Sequence, residues 1–247
     1  KLLAQKACKI CVAYDGMEKF FPADKIIMTG NPVRQNLLAN KQSREEAVSS
    51  FGFNPEKKTI LILGGSLGAR TINQTLIAAL DTIKVNGDIQ FIWQTGKIYI
   101  QQVKDAITTA TGEAIRNPRI SAIPNLYVTD FIKDMASAYA AADLVISRAG
   151  AGSISEFCLL NKPVILVPSP NVAEDHQTKN ALALVDKKAA IYVKDVDAMK
   201  HLIPVALETV TDAEKLKTLS ENIAKLALPD SATIIAKEVL KLINNDK

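Results

Sequence analysis

Cysteine, aromatic side chains and long apolar runs are all scarce in this sequence. Three cysteines in 247 residues do not supply a disulfide scaffold, which favours a reducing compartment. No apolar run approaches the roughly 20 residues that span a bilayer. A net charge of +4 gives no indication of nucleic-acid binding. With 48% hydrophobic residues, the chain is ample for one large α/β domain or one and a half smaller ones.

The two cysteines nearest the start form a lone Cys-x-x-Cys, at Cys8 and Cys11. No second pair and no nearby histidine completes a metal site, so small buried apolar fillers are the favoured interpretation. Strands are predicted in the same region, at 8–14 and 25–29. Because two strands alone cannot cover both of their faces, we expect this region to be the remnant of a domain that lies upstream.

From residue 59 onward, predicted strands alternate with predicted helices. This alternation is typical of an α/β fold with a Rossmann-like parallel sheet and helices on both faces. Ligands of such sheets bind beyond the carboxyl ends of the strands. The strands are predicted at 59–63, 89–94, 126–128, 144–147, 164–167 and 190–193, and the helices at 70–80, 98–110, 134–141, 153–160, 176–187, 197–208, 213–227 and 231–243.

A glycine-rich turn joins the first of these strands to its helix, in the run Leu61-Ile62-Leu63-Gly64-Gly65-Ser66-Leu67-Gly68-Ala69-Arg70. The glycines let backbone N–H groups approach a ligand, and the helix N-terminus adds unpaired N–H groups. We interpret the turn as a phosphate or diphosphate cradle, with the Ser66 hydroxyl as a further donor. The turn matches neither a P-loop nor the dinucleotide fingerprint, so a dinucleotide oxidoreductase is disfavoured, and a turn that binds nothing is the alternative.

A second strand, small-residue turn and helix start follows at 147–156. A helix that begins near Gly152 or Ser153 again offers N–H groups to an anion. The Glu156 carboxylate is able to accept two ribose hydroxyls. The alternative is structural, since Ser153 and Glu156 have the spacing of a capping box.

Two further loops offer polar or flat surfaces. A proline-stiffened loop leads into the helix at 176–187, where Gln177 and His176 are placed to reach sugar hydroxyls. No pattern in the sequence marks His176 as a catalytic base. The alternative is a capped helix with Asp175 near its start and His176 as a surface residue. The loop at 129–132 offers an apolar wall and a backbone amide to a planar base, or else it is plain core. Together these loops describe a nucleotide-sugar site.

These segments, in this order, resemble the C-terminal domain of the GT-B glycosyltransferases of family 28, in particular the N-acetylglucosaminyltransferases of peptidoglycan synthesis. The resemblance covers nearly the whole chain, and the ordered set is more specific than any one segment. The segments are Gly-Asn-Pro-Val-Arg at 30–34, Gly-Gly-Ser-Leu-Gly-Ala-Arg at 64–70 with Asn-Gln at 73–74, Trp-Gln-Thr-Gly at 93–96, Val-Thr-Asp-Phe-Ile at 128–132, Ser-Arg-Ala-Gly-Ala at 147–151 with Ser-Glu at 155–156, and Asp-His-Gln at 175–177 with Asn-Ala at 180–181.

The resemblance implies transfer of N-acetylglucosamine from UDP-N-acetylglucosamine to lipid I, which gives lipid II. It implies inversion at the anomeric carbon, no bound metal or cofactor, and peripheral contact with the inner membrane at its cytoplasmic face. By the same resemblance, Ser66 holds the diphosphate, Ile132 meets the uracil through its backbone, and Glu156 binds the ribose. The other donor-site residues that it implies are Arg34, Ala151, Gly152, Ser153, Ile154, Ser155 and Gln177.

The resemblance also divides the chain into three parts. Residues 1–34 are expected to be the remnant of an N-terminal acceptor domain, 35–228 the UDP-N-acetylglucosamine-binding Rossmann-like domain, and 229–247 a C-terminal helix. The family's acceptor site and presumed general base belong to the upstream domain. We therefore expect no catalytic residue here, and a chain that by itself binds the donor weakly without completing the transfer. Another UDP-sugar enzyme of the GT-B scaffold (an epimerase or a glycosyltransferase) and a non-catalytic nucleotide-sugar-binding subunit remain alternatives.

Overall fold

A computed structural model describes residues 3–13, 16–65, 67–113, 122–172 and 175–245 of the chain. The strands are β1 (Ile10–Val12), β2 (Ile26–Met28), β3 (Lys58–Leu63), β4 (Ile89–Gln94), β5 (Leu126–Thr129), β6 (Leu144–Ser147), β7 (Val164–Leu166) and β8 (Ile191–Tyr192). The helices are α1 (Gln35–Leu38), α2 (Arg44–Ser50), α3 (Arg70–Ala78), α4 (Leu80–Val85), α5 (Ile100–Thr111), α6 (Met135–Ala141), α7 (Ala151–Leu159), α8 (His176–Val185), α9 (Ala198–Thr211), α10 (Ala213–Ala224) and α11 (Ser231–Asn245).

The strands from β3 to β8 form one parallel sheet in the order β5-β4-β3-β6-β7-β8. The predicted α/β class, with a parallel sheet, is therefore confirmed. The chain runs outward from β3 to β5 and then returns to place β6 on the other side of β3. This is the strand order of a Rossmann-type sheet, whose ligand crevice opens where the chain changes direction. The carboxyl ends of β3 and β6 are therefore the place to look for a site.

The central strand β3 shows why helices cover both faces of the sheet. Ile60 and Ile62 pack into one apolar cluster, and Leu61 and Leu63 pack into the other. Successive side chains of a strand point to opposite faces, so a strand in which both sets are apolar needs cover on both sides. Helices α3, α5 and α9 supply one layer, and α2, α6, α7 and α8 supply the other.

Local signals set several helix boundaries. At the start of α2, the Ser43 hydroxyl accepts the Glu46 N–H at 3.2 Å, and the Glu46 carboxylate accepts the Ser43 N–H at 2.9 Å. This reciprocal capping box satisfies two N–H groups that the helix leaves unpaired. The helix predicted at 70–80 is interrupted, since α3 ends at Ala78 and α4 begins at Leu80. Among the described helices, none has the length and apolarity needed to cross a bilayer.

The first two strands are shorter than predicted and pair with each other in a small parallel sheet. Cys8 and Cys11 are both exposed, so the interpretation of these residues as buried fillers is wrong. A two-stranded sheet has little area to bury, which leaves side chains of β1 open to solvent.

Gly30 joins this N-terminal region to the last helix. Its φ is +78°, and a Cβ placed there would lie 2.5 Å from Ser231 Oγ and 2.8 Å from Leu228 Cβ. A side chain at this position therefore clashes with the start of α11. The segment after β2 packs closely against the start of α11 because Gly30 has no side chain. The predicted divisions after residues 34 and 228 stay predictions.

Candidate functional site

A cavity of about 930 Å³ opens at the carboxyl ends of the strands. Gly64 lines it after β3, Gln94 at the end of β4, Ser147 at the end of β6 and Ser169 after β7. Its volume falls within the roughly 300–1,000 Å³ that is typical of small-molecule sites. Its position is the crevice that the strand order predicts.

The glycine-rich turn after β3 forms one wall of the cavity. Gly65 and Leu67 line it, and Ser66, the predicted diphosphate ligand between them, lies outside the described residues. Helix α3 follows from Arg70 without a side-chain cap and without an acidic residue in its first turn. Among the described residues no side chain caps its first N–H groups, and these groups and the positive end of the helix dipole suit an anion.

Two glycines hold this turn against the turn that follows β4. Gly68 has a φ of +86° and Gly96 a φ of +82°. A Cβ at Gly96 would lie 2.4 Å from the Gly68 nitrogen, and a Cβ at Gly68 would lie 2.5 Å from the Thr95 carbonyl oxygen. Only glycine fits either position, because the two backbones touch and both have left-handed conformations.

Gln94 connects the glycine-rich turn to the loop after β5. Its Nε2 donates to the Gly65 carbonyl at 3.2 Å, and its Oε1 accepts the Ile132 N–H at 3.0 Å. The Ile132 side chain is buried in the core, whereas Phe131 is 45% exposed and lines the cavity. The apolar wall is therefore Phe131. A base that uses the Ile132 N–H must take the place of the Gln94 oxygen.

Helix α7 brings a second N-terminus to the cavity. It begins at Ala151 with Gly150 as its N-cap residue and no side-chain cap. The alternative interpretation of a capping box between Ser153 and Glu156 is therefore wrong, because Glu156 lies in the second turn of the helix. Ser153 and Glu156 both line the cavity, together with Gly150.

Both carboxylate oxygens of Glu156 have partners. Arg34 donates from Nε and Nη2 to Oε1 at 3.2 and 2.9 Å, and the Tyr139 hydroxyl donates to Oε2 at 2.7 Å. The Arg34 side chain is 52% exposed, whereas Tyr139 is only 2% exposed. Glu156 is thus held by one partner from the core and by one from solvent.

Tyr139 is a site residue that the sequence analysis missed. Burial, followed by the charge of Glu156, raises the pKa of Tyr139 well above its usual value, so the hydroxyl stays a donor. Tyr139 lies within α6, in a run of small apolar residues that reads as ordinary core. Nothing in its local sequence marks it as part of a site.

Arg148 is neutralised in the cavity wall. Its Nη1 donates to the Val167 and Pro168 carbonyls at 2.9 and 3.0 Å and forms an ion pair with Asp195. Asp195 Oδ2 accepts the Thr71 hydroxyl at 2.8 Å, at the start of α3. The segment after β8 therefore ties the loop after β6 to the helix that follows the glycine-rich turn.

Asp195 and Asp197 form an Asp-x-Asp sequence, and paired carboxylates of this kind are suited to a divalent cation. In the structure Asp195 is committed to Arg148 and Thr71, and Asp197 is exposed. In the described ranges no group of three or more His, Cys, Asp or Glu side chains is placed to hold a metal ion.

Arg70 lines the cavity and forms no ion pair with any described residue. It is therefore the cation best placed for an anionic ligand.

Gln177 approaches the cavity from the first turn of α8. Its Oε1 accepts the Ser169 N–H at 3.0 Å, which holds the proline-containing loop after β7 against the helix. Both residues line the cavity. His176 is exposed and precedes Gln177 as the first residue of α8.

Ile154 and Ser155 face a different cavity, of about 460 Å³. Ser155 Oγ accepts from Asn31 Nδ2 at 3.2 Å, and Ile154 is buried. The structure therefore does not bring these two predicted residues to the first cavity. It does bring together Arg34, Ser153, Glu156 and Gln177, with Ala151 and Gly152 in the first turn of α7 and Ile132 behind the Phe131 wall.

Known proteins match this chain over nearly its whole length. A relative from Bacteroides fragilis, a UDP-N-acetylglucosamine--N-acetylmuramyl-(pentapeptide) pyrophosphoryl-undecaprenol N-acetylglucosamine transferase, is 78% identical over 242 residues. The match covers 98% of this chain and 61% of that protein, so the chain spans about three fifths of the relative's length.

Solved structures resemble the fold over nearly the whole chain. The crystal structure of Acinetobacter baumannii MurG matches with a TM-score of 0.70 and 27% identity, over 97% of this chain and 63% of that one. A UDP-GlcNAc 2-epimerase from Neisseria meningitidis, bound to UDP-GlcNAc, matches with a TM-score of 0.64 and 18% identity, over 91% of this chain and 58% of that one. At that identity the likeness to the epimerase is one of fold alone.

Residues 59–235 match the Glycosyltransferase family 28 C-terminal domain. That span includes the six-stranded sheet except for the first residue of β3, both helix N-termini at the cavity, and Glu156 and Gln177. Because the match extends over well more than half of the chain, the chain belongs to glycosyltransferase family 28, as a C-terminal domain of that family.

Proposed function

We propose that the 930 Å³ cavity is the donor site of an inverting glycosyltransferase and binds UDP-N-acetylglucosamine. The transfer moves N-acetylglucosamine to lipid I and gives lipid II in peptidoglycan synthesis, at the cytoplasmic face of the bacterial cell membrane. One observation carries the proposal. Two helix N-termini, of α3 and α7, and the carboxylate of Glu156 meet at one cavity between β3 and β6.

The diphosphate is placed between the glycine-rich turn and the start of α3. Backbone N–H groups there and the Arg70 guanidinium stabilise the negative charge that grows on the diphosphate as the glycosidic bond breaks, and the Ser66 hydroxyl stays a predicted further donor. Fixed dipoles of this kind lower the barrier because they are already oriented when the charge develops. Arg148 contributes less to this field, because Asp195 neutralises it.

The nucleoside is placed against Phe131 and Glu156. The uracil lies on the Phe131 ring and exchanges with Gln94 for the Ile132 N–H. The ribose hydroxyls donate to Glu156 and displace Arg34 from Oε1, since Arg34 is the exposed partner of that oxygen. The N-acetylglucosamine then lies near Gln177, whose amide both donates and accepts hydrogen bonds.

The identity of the sugar and of the acceptor rests on the relatives. The Bacteroides fragilis protein is named as an N-acetylglucosamine transferase that acts on a lipid-linked muramyl-pentapeptide. We place the acceptor site, the general base and the membrane contact in the part of such a protein that this chain does not match.

Calorimetry with three nucleotide sugars tests the donor site. UDP-N-acetylglucosamine is expected to bind the chain, and ADP-glucose and GDP-mannose are expected to bind more weakly or not at all. UDP alone serves as the control that separates the nucleotide from the sugar. Equal heats for all three nucleotide sugars, or none for any of them, would contradict the proposal.

Product analysis separates the transferase from the alternatives. The chain is combined with the part of the Bacteroides fragilis relative that it does not match, UDP-N-acetylglucosamine and lipid I. Lipid II formation is expected, whereas a purely nucleotide-sugar-binding subunit gives no product. Conversion of UDP-N-acetylglucosamine to its 2-epimer, seen by proton NMR, would favour an epimerase.

A further inference from the structure

We propose that Tyr139 is a positioning residue that presents the Glu156 carboxylate to the ribose of a bound nucleotide. The inference deepens the proposed function and rests on it. Tyr139 lies in α6 and Glu156 in α7, and both side chains reach the wall of the same cavity. The consequence is that Tyr139 sets the preference of the site for a ribonucleotide over a 2′-deoxyribonucleotide.

Tyr139 and Arg34 bind different oxygens of the Glu156 carboxylate. The Tyr139 hydroxyl donates to Oε2 at 2.7 Å, and both Arg34 contacts go to Oε1. An ionised carboxylate has about four lone-pair sites, of which Arg34 uses two on Oε1 and Tyr139 uses one on Oε2. One site is left, so two ribose hydroxyls bind only if one of them displaces Arg34, which is exposed and able to withdraw into solvent. Tyr139 is enclosed by the core and keeps its hydrogen bond.

Packing fixes the Tyr139 ring independently of its hydroxyl. The ring meets Phe157 edge to face, with centroids 6.0 Å apart and an interplanar angle of 80°. Phe157 follows Glu156 in α7 and is fully buried. An edge-to-face pair of this kind is attractive in its own right. The core therefore aims the hydroxyl at Glu156, and removal of the hydroxyl alone leaves the ring in place.

Tyr139 also keeps its proton. Desolvation, and then the neighbouring charge of Glu156, raises the pKa of Tyr139. The phenol therefore stays protonated, and a donor, at every pH used for a binding measurement. A donor that neither titrates nor exchanges with the ligand holds the carboxylate in one orientation before the nucleotide arrives.

A fixed carboxylate discriminates between sugars better than a mobile one. A site built to accept a substrate hydroxyl rejects an analogue without it, because a buried acceptor is then left unpaired. A Glu156 side chain without Tyr139 is free to turn toward other donors, which relieves that penalty. The hydroxyl of Tyr139 therefore acts on selectivity more than on affinity.

The test compares Tyr139→Phe with Tyr127→Phe by calorimetry of UDP and 2′-deoxy-UDP. Tyr127 is a matched control, since its ring also packs edge to face, against Phe51, and it lies outside the cavity lining. The wild-type chain and the control are expected to prefer UDP by about tenfold or more. In Tyr139→Phe we expect a preference for UDP of about threefold or less. The mobile Glu156 carboxylate then finds other donors, so loss of the 2′-hydroxyl carries little penalty.

A double-mutant cycle shows whether Tyr139 acts through Glu156. In a Glu156→Ala background, the addition of Tyr139→Phe is expected to leave the ratio of the two affinities unchanged. A role of Tyr139 in packing alone shifts both affinities together and does not move the ratio in either background.

The outcomes separate this inference from the proposed function. A preference for UDP that persists in Tyr139→Phe, or that the wild type lacks, overturns the role of Tyr139 and leaves the donor site standing. Absence of UDP binding to the wild type overturns the donor site itself. If Tyr139→Phe does not fold, NMR of the wild-type Tyr139 hydroxyl proton decides. Its hydrogen bond is expected to persist in UDP-saturated chain, and its loss would overturn the inference.

Discussion

Arg34 and Glu156 are 122 positions apart in the sequence, yet two N–H groups of the guanidinium reach the same carboxylate oxygen. Arg34 belongs to the segment between β2 and α1, whereas Glu156 lies deep in the Rossmann-like part of the chain. The proposed ribose acceptor is therefore paired with a residue from the predicted N-terminal part. If two ribose hydroxyls bind Glu156 as proposed, that contact is exchanged.

Replacement of Glu156 with alanine is expected to weaken UDP binding by about 1.5–3 kcal/mol, the usual contribution of a hydrogen bond to a charged group. The loss is reduced to the extent that Arg34 is released from its ion pair for the ligand. Calorimetry with UDP measures the change.

Glu208→Ala is the matched control, since Glu208 is exposed, forms an ion pair with Lys215 and lies outside the cavity lining. Its affinity for UDP should equal that of the wild type. An unchanged affinity in Glu156→Ala, with the fold intact, would mean that the cavity does not hold a ribose at this carboxylate.

Replacement of Gly96 with alanine is expected to destabilise the chain and to weaken UDP binding together. A Cβ there would lie 2.4 Å from the Gly68 nitrogen, so the glycine-rich turn must move. Gly112→Ala is the matched control, because Gly112 also has a positive φ, of +74°, but a Cβ there meets no atom of the described residues within 4 Å.

The control isolates the cost of the backbone conformation, about 1–2 kcal/mol. Thermal unfolding and UDP calorimetry are expected to show a larger loss for Gly96→Ala, with loss of affinity in that variant alone. Equal effects of the two substitutions would mean that the contact between the turns contributes nothing.

How far the sequence predicts this molecule depends on the distance over which each signal acts. The Ser43–Glu46 capping box and the two-sided apolar pattern of β3 are local, so they are readable in a short window. The alternation of elements predicts a parallel sheet with its ligand beyond the carboxyl ends of the strands. The order of the strands, and with it the position of the cavity at β3 and β6, is known from the structure.

The contacts within the site do not follow from local pattern. Tyr139 and Glu156 lie on different helices, and Arg148 and Asp195 are 47 positions apart. Such pairs depend on how the layers pack on the sheet. The exposed position of Cys11 is a second example, because its burial depends on which elements cover β1 rather than on its own neighbours.

Replacement of Asp195 with asparagine is expected to lower the free energy of unfolding by about 1.5–3 kcal/mol, because Arg148 loses its counter-ion in a largely buried setting. Urea unfolding measures the change. Asp197→Asn is the control in the same Asp-x-Asp sequence. Asp197 is exposed, so its replacement should stay within about 0.5 kcal/mol of the wild type. Equal stabilities of the two variants would show that the Arg148–Asp195–Thr71 contacts do not hold the loops together.

Lys162 is expected to make the free energy of unfolding depend on pH in the alkaline range. Lys162 is half-buried, and its ammonium donates to the Ala142 carbonyl at 2.9 Å, close to the Arg44–Asp143 ion pair. Burial lowers the pKa of Lys162 to about 8, against the attraction of Asp143. Between that value and the ordinary lysine pKa, the unfolded chain holds a proton that the folded chain has released.

The free energy of unfolding attributable to Lys162 therefore rises with pH from about 8 to about 10.5, and below that window the folded chain bears the full cost of the buried charge.

Replacement of Lys162 with methionine removes this dependence. The free energy of unfolding of Lys162→Met minus that of the wild type is expected to fall by at most about 3 kcal/mol from pH 7 to pH 10.5. Urea unfolding at each pH measures it, and titrations common to both chains cancel. Lys200→Met, at an exposed position of α9, should show a constant difference over the same range. A constant difference for Lys162→Met as well would mean that its ammonium is solvated in the folded chain.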